Sequence, residues 1–328
     1  MNRLRQPQRG VVLLGLMLIL IIGIGFLLLQ GRRGPTRIER EAQTITALTA
    51  AREALIARAI GDANRPGSLP CPDLDVDGIA DLAYPKCDTY SGSAYIGWLP
   101  WRTLDINDPR DASSESLWYV LSPNFNDGNT AINSDTPGTL SLDGQGDIVA
   151  LIIAPGGSLT GQSRPSLKIA DYLDNVDGNP AASNHDNDGA YFSGPADSQF
   201  NDRLIALDRN TLMNAVAPRI LGEIRYAVAA AGLTGKPLPE VDTDGDGKPG
   251  PEPEADTSNP DGENKTQFFP YLDEAYAEIP SPTWIPEKKD DPPHKWHESL
   301  ANNRWFAQIT YDRAKRSVSL YGHTVILP

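Results

Sequence analysis

The chain has 328 residues, 40% of them hydrophobic, with 29 Gly, 28 Pro and a formal net charge of −14. That suffices for one large folded domain or two small ones, rich in turns and long loops. So acidic a body repels phosphates, which excludes a nucleic-acid binder, and it leaves carboxylates spare for cations.

The first ten residues carry Arg3, Arg5 and Arg9 and no acid. From Val11 to Leu29 no residue is charged. At about 1.5 Å per residue that run spans about 30 Å, one hydrocarbon core. An ordinary cleavable signal has a shorter apolar region followed by small residues. Here the run ends in Gln30, Gly31, Arg32 and Arg33. The expectation is a retained transmembrane helix over 11–30, passing once through the membrane and touching its lipid, with the acidic remainder outside the cytoplasm.

"GRRGP" at 31–35 breaks that helix. In the next segment Ile38, Ala42, Ile45, Leu48, Leu55, Ile56 and Ala59 recur at helical spacing, which predicts an amphipathic helix over 36–60 closed by Gly61. Residues 62–115 read as loop. "LWYVLS" (117–122), "DIVALIIA" (147–154) and "RLIALD" (203–208) read as strands, the second central because its apolar run is unbroken. Residues 209–232 predict a helix ended by Gly232 and divided near Pro218. The stretch 237–293 is crowded with prolines and acids and reads as a long irregular insert. "NRWFAQITY" and "SVSLYGHTVIL" around "DRAK" predict a closing hairpin. Cys71 and Cys87 are the only cysteines. In a loop-rich exported segment they are expected to form a disulfide.

A basic leader, Gly10 and then a retained apolar helix resemble the processing signal of type IV pilins and of the pseudopilins of type II secretion. "QRGVVLL" is most similar to minor members of the family, among them the K-type pseudopilins. The stretches "LTAAREALIARA", "RPGSLPCPD", "GWLPWRTL", "LWYVLSPNF", "LIIAPGGSLTGQSR" and "FNDRLIALDRNTLM" also resemble a group of uncharacterised bacterial pilin-like proteins. The resemblance implies a cut between Gly10 and Val11 by a prepilin peptidase, methylation of the new N-terminus, and other pilins or pseudopilins as partners. It implies an α+β fold: a leader at 1–10, a long N-terminal helix that crosses the inner membrane once amid its lipid, a stem continued over 31–61, and a periplasmic antiparallel-sheet head over 62–328 with long loop insertions. The family's Glu at the fifth mature position is Gly15 here, which argues for a tip or minor component of a filament. The function so implied is priming, capping or decorating a pilus or a secretion pseudopilus. Two other readings stay open: an anchored periplasmic binding protein or hydrolase that never assembles, and a calcium-dependent tip adhesin.

Two acidic stretches are candidate calcium sites. "DTDGDGKPGPEPE" sets Asp242, Asp244 and Asp246 at alternate positions before Gly247, as in the first half of an EF-hand loop, but Pro253 stands where the closing Glu belongs. Glu252 and Glu254 flank it. "DLDVDGIAD" repeats the pattern with Asp73, Asp75, Asp77, Gly78 and Asp81, bracketed by the cysteines. K-type pseudopilins bind calcium, which adds to this expectation. The run 174–189 reads as surface loop.

Nothing in the sequence demands catalysis. "HKWHE" (294–298) fits no zinc-protease pattern, "GGSLTG" (156–161) is not a nucleophile elbow, and no phosphate-binding loop occurs. Trp98 and Trp101 read as core packing.

Overall fold

A computed structural model describes residues 9–30, 36–63, 65–81, 87, 94–128, 131–175, 183–230, 234–236, 238, 300 and 303–328. Helix α1 runs Arg9–Gln30. Helix α2 (Arg37–Gly61) begins at a capping box, in which Thr36 Oγ1 accepts from the Glu39 amide and a Glu39 carboxylate oxygen accepts from the Thr36 amide. The two orphan donors of the first turn are thereby satisfied, so the helix starts there.

The main sheet is built on β4 (Gln145–Ala154). Along one edge β4 pairs antiparallel with β2 (Trp118–Leu121) and, nearer its start, with β3 (Leu140–Leu142). β6 (Arg203–Asp208) lies antiparallel on its other edge, and β1 (Tyr95–Trp98) extends the sheet beyond β2. β5 (Ala190–Tyr191) runs parallel to β3. The β3–β4 turn is Asp143–Gly144, both at positive φ (52° and 78°), the conformation that suits a tight hairpin.

α2 and α3 (Arg209–Ala230) cover one face of this sheet. Leu48, Ala51 and Leu55 of α2 and Leu212, Val216 and Ile220 of α3 share a core with Tyr119, Leu121, Ala150 and Ile152. The opposite face is covered by loop. There Trp98 and Trp118 lie 4.4 Å apart between ring centroids, and Tyr172 lies 5.4 Å from Trp118. Burial on both faces accounts for the unbroken apolar run of β4. A second sheet, β7 (Thr310–Asp312), β8 (Ser317–Leu320) and β9 (His323–Ile326), packs its Val318 and Leu320 into the helix side of the core.

Two expectations are corrected. The fold was expected to hang from a long transmembrane helix. Among the described residues, no helix is long and apolar enough to cross a membrane. A single-pass inner-membrane location is therefore not supported. The head was expected to carry an antiparallel sheet. Its main sheet is a mixed half-barrel, because β3 and β5 are parallel, and the terminal strands form a separate small sheet.

Smaller differences have local causes. The region read as loop contains β1, and the closing hairpin is a three-stranded meander, because Tyr321 and Gly322 at positive φ (52° and 82°) turn the chain once more. α3 passes through Pro218 without ending.

α3 also holds a buried ion pair, Arg219 Nε to Glu223 Oε1 at 2.9 Å. The Arg219 guanidinium donates in addition to the carbonyls of Ile60 and Asp62, which ties α3 to the end of α2. Burial pushes the Glu223 carboxyl up from 4.5 to about 7, against the pull of Arg219. A raised carboxyl favours the native state below its unfolded pKa, and that contribution is lost as pH rises through the folded value. Stability is expected to fall between about pH 4.5 and 7 by on the order of 3 kcal/mol from this residue alone. Glu223→Gln should flatten that slope in urea titrations run across the same range; an unchanged slope would contradict the assignment.

Candidate functional site

The segment from Cys71 to Asp81 folds around one carboxylate. Asp73 is buried, and its Oδ1 accepts from the amides of Asp75 (3.0 Å) and Val76 (2.8 Å). Its Oδ2 accepts from the Gly78 amide at 2.7 Å. The chain therefore wraps the side chain as an Asx turn does, continued by one more turn. Val76 stands at φ 69° and Gly78 at φ 84°. A β-branched residue in that region costs roughly 1–3 kcal/mol, which the three bonds to Asp73 offset. Gly78 is required twice over, because a Cβ there would lie 2.6 Å from the Trp101 ring.

The loop is docked on the sheet edge. Asp73 and Trp98 exchange both backbone hydrogen bonds, at 3.0 and 2.8 Å. The Gly78 carbonyl accepts from the Arg102 amide, and Thr103 Oγ1 accepts from the Ala80 amide. "GWLPWRTL" is thus the receptor for the acidic loop: Trp98 in the core, Trp101 under Gly78, and the Arg102 guanidinium 4.8 Å above the Trp101 ring. The Cys71–Cys87 disulfide, with Cα atoms 5.6 Å apart, closes the segment. In the chain-entropy view a loop of this size contributes about 3 kcal/mol. Replacing both cysteines by alanine should lower the unfolding free energy by roughly that amount in denaturant titration.

One carboxylate oxygen each from Asp73, Asp75 and Asp81 lies within 4.8 Å of the others. Oxygens bound to one Ca²⁺ at about 2.4 Å lie up to about 4.8 Å apart, so the three fit one hard cation. Asp81 supplies the ligand from position 9 of the loop, counting Asp73 as 1, and its other task is to accept from the Leu74 amide. Asp77 is not in this group; its Oδ1 accepts from the Ile79 amide. Burial raises the Asp73 carboxyl, with the Asp75 charge adding to the rise and the three amides opposing it. A cation beside it would relieve that cost.

Asp242, Asp244, Asp246, Glu252 and Glu254 lie outside the described residues, as do His294 and His297. Gly10 and Val11 lie in the first turn of α1.

The run read as surface loop after 174 holds a cluster the sequence did not betray. Asp174, Asn184 and Asp202 are buried. Asp174 Oδ2 accepts from the Asn201 and Asp202 amides, and Asp202 Oδ2 accepts from the Asp174 amide and from Asn184 Nδ2. Burial raises both carboxyls, and Asp202, to which the Asp174 charge adds, is raised the more. Arg164 spans the same loops, donating to the carbonyls of Gly156, Asp171 and Tyr172. Together they fasten the excursion over the tryptophan face of the sheet. The signal was only the density of Asp and Asn, which also suits exposed turns.

α1 presents its described side chains to solvent: Leu14 is 73% exposed and Ile19 69%. No family model matches the chain, and no curated protein or solved structure shows a match to it.

Proposed function

We propose that this protein is a structural subunit of the minor pilin or pseudopilin kind, whose apolar α1 packs with equivalent helices of partner subunits. The observation that carries this reading is the unpartnered face of α1. Leu16, Met17, Leu18, Ile19, Leu20, Ile21 and Ile22 are each more than half exposed, on a helix set apart from the amphipathic α2. So much contiguous apolar surface requires an occupant. The leader-like residues Arg3, Arg5, Arg9 and Gly10 support the family.

Processing tests the family directly. Intact-mass and N-terminal analysis of the protein from its own cells, with and without prepilin peptidase, should find a methylated chain beginning at Val11 only when the peptidase is present. A chain beginning at Met1 in both cases would end the proposal.

Calcium is the second element of this reading, favoured by the convergence of Asp73, Asp75 and Asp81. A three-carboxylate site without the closing Glu fits the weak class, with Kd on the order of 10⁻⁴–10⁻³ M. Its role is to hold the loop on the edge of β1.

A further inference from the structure

We propose that the cleft at the start of α2 is a docking site for a carboxylate-rich segment of a partner protein. The cleft has a volume of about 420 Å³. The first two turns of α2 form one wall, the 111–113 loop a second, and the Gly156–Gly157 turn with Asn201 and Arg203 the rest.

Its chemistry is that of a donor set. Arg37, Arg40 and Arg203 all line it. Arg203 is held in place by Glu41 at 3.0 Å and by the Gly194 and Asp202 carbonyls. Arg37 and Arg40, three apart on one helix face, meet no carboxylate among the described residues. The two acids of the cleft are already engaged. Glu41 is paired with Arg203, and Asp111 accepts from the amides of Ser113, Glu115 and Gly156. The Ser113 hydroxyl and the Gly157 amide have no acceptor among the described residues. In a chain of net charge −14, one face therefore gathers cations and free donors.

The lining decides the ligand class. No aromatic side chain lines the cleft, and none of its aliphatic side chains is larger than alanine. A nucleotide or an apolar metabolite would find no surface to stack on or bury against. Planar guanidiniums at an exposed rim suit carboxylates, which they bind through paired hydrogen bonds, and a rim open to solvent suits an extended peptide. Arginine is also enriched where proteins meet. The inference does not depend on what covers α1.

The test is fluorescence anisotropy of a fluorescein-labelled hexaglutamate peptide titrated with the full-length protein at low and at physiological salt. Saturable binding that weakens with salt is expected. The Arg37→Glu/Arg40→Glu variant should bind at least tenfold more weakly, whereas Arg225→Glu, an exposed charge on α3, should change binding less than twofold. Thermal unfolding of the variants checks that the head is intact; should the double variant unfold early, the single Arg40→Gln change replaces it, with a threefold loss expected. Absence of saturable binding, or equal binding by wild type and variant, would overturn the proposal. So would displacement of the peptide by inorganic phosphate at lower concentration than by free glutamate, which would make this a phosphate site.

Discussion

Changing Ile19 of α1 to glutamate is expected to abolish the α1-mediated subunit association proposed above while leaving the head folded. Ile19 stands in the middle of the described apolar stretch and touches no part of the head core. Burying one such side chain against a neighbouring helix contributes about 1.5–3 kcal/mol, and an unpaired carboxylate in the same contact costs several more. A loss of about 4 kcal/mol is nearly a thousandfold in affinity. Sedimentation of the wild type and the variant reads the association; thermal unfolding of the head should differ by no more than about 0.5 kcal/mol, as for a remote surface change. Association that survives the charge would mean that α1 is not the assembly element.

Changing Asp73 to alanine is the most damaging single change expected within the head. It removes the acceptor of the Asp75, Val76 and Gly78 amides together. The buried Gly78 donor left unmade costs about 1–3 kcal/mol, the partly exposed Asp75 and Val76 donors add less, and Val76 is left at φ 69° without its side-chain acceptor. A destabilisation of about 3–5 kcal/mol follows, read from the denaturant midpoint. Calcium binding should vanish in the same variant. Asp75→Asn separates the two effects, because Asp75 is exposed and an amide oxygen can still accept from the Asp77 amide. That variant should keep its stability without calcium and lose the added stability that the proposed site is expected to give the wild type in millimolar calcium. If it gains as much from calcium as the wild type, the cation does not sit on Asp75.

The parts of the fold that were legible were those written in periodicity. The amphipathic spacing of α2 and the unbroken apolar run of β4 each survive burial against several partners, so local pattern and tertiary environment agree. Where the outcome turned on a few hydrogen bonds, pattern did not suffice. The Asp143–Gly144 and Tyr321–Gly322 turns are set by positive φ at two residues each, and only the first carries a familiar dipeptide. β1 is four residues long and is a strand because Trp118–Leu121 pairs with it, which its own sequence does not announce. The pairing of β3 with β5 across a long excursion made the sheet mixed, and no local signal specifies a parallel partner so far away. The membrane expectation rested on the length of the apolar run, and the described residues do not sustain it.

The site was half legible. The alternation of Asp73, Asp75 and Asp77 before Gly78 marked the loop, and the cysteines marked its closure. Sequence spacing weighted all the acids alike, whereas the fold sends Asp77 to cap a local amide and brings Asp81 round to the other two. The Thr36–Glu39 capping box, which the apolar spacing does not register, fixes where α2 begins. The arginine cleft had no sequence signature, since its walls come from segments more than a hundred residues apart.

The most direct test of the subunit reading is photo-crosslinking in the native cells from a benzophenone amino acid placed at Ile19. The account predicts a discrete protein adduct whose partner peptide, identified by mass spectrometry, comes from the N-terminal apolar helix of a second copy or of a similarly processed subunit. Adducts to lipid alone, or to no protein at all, would contradict it.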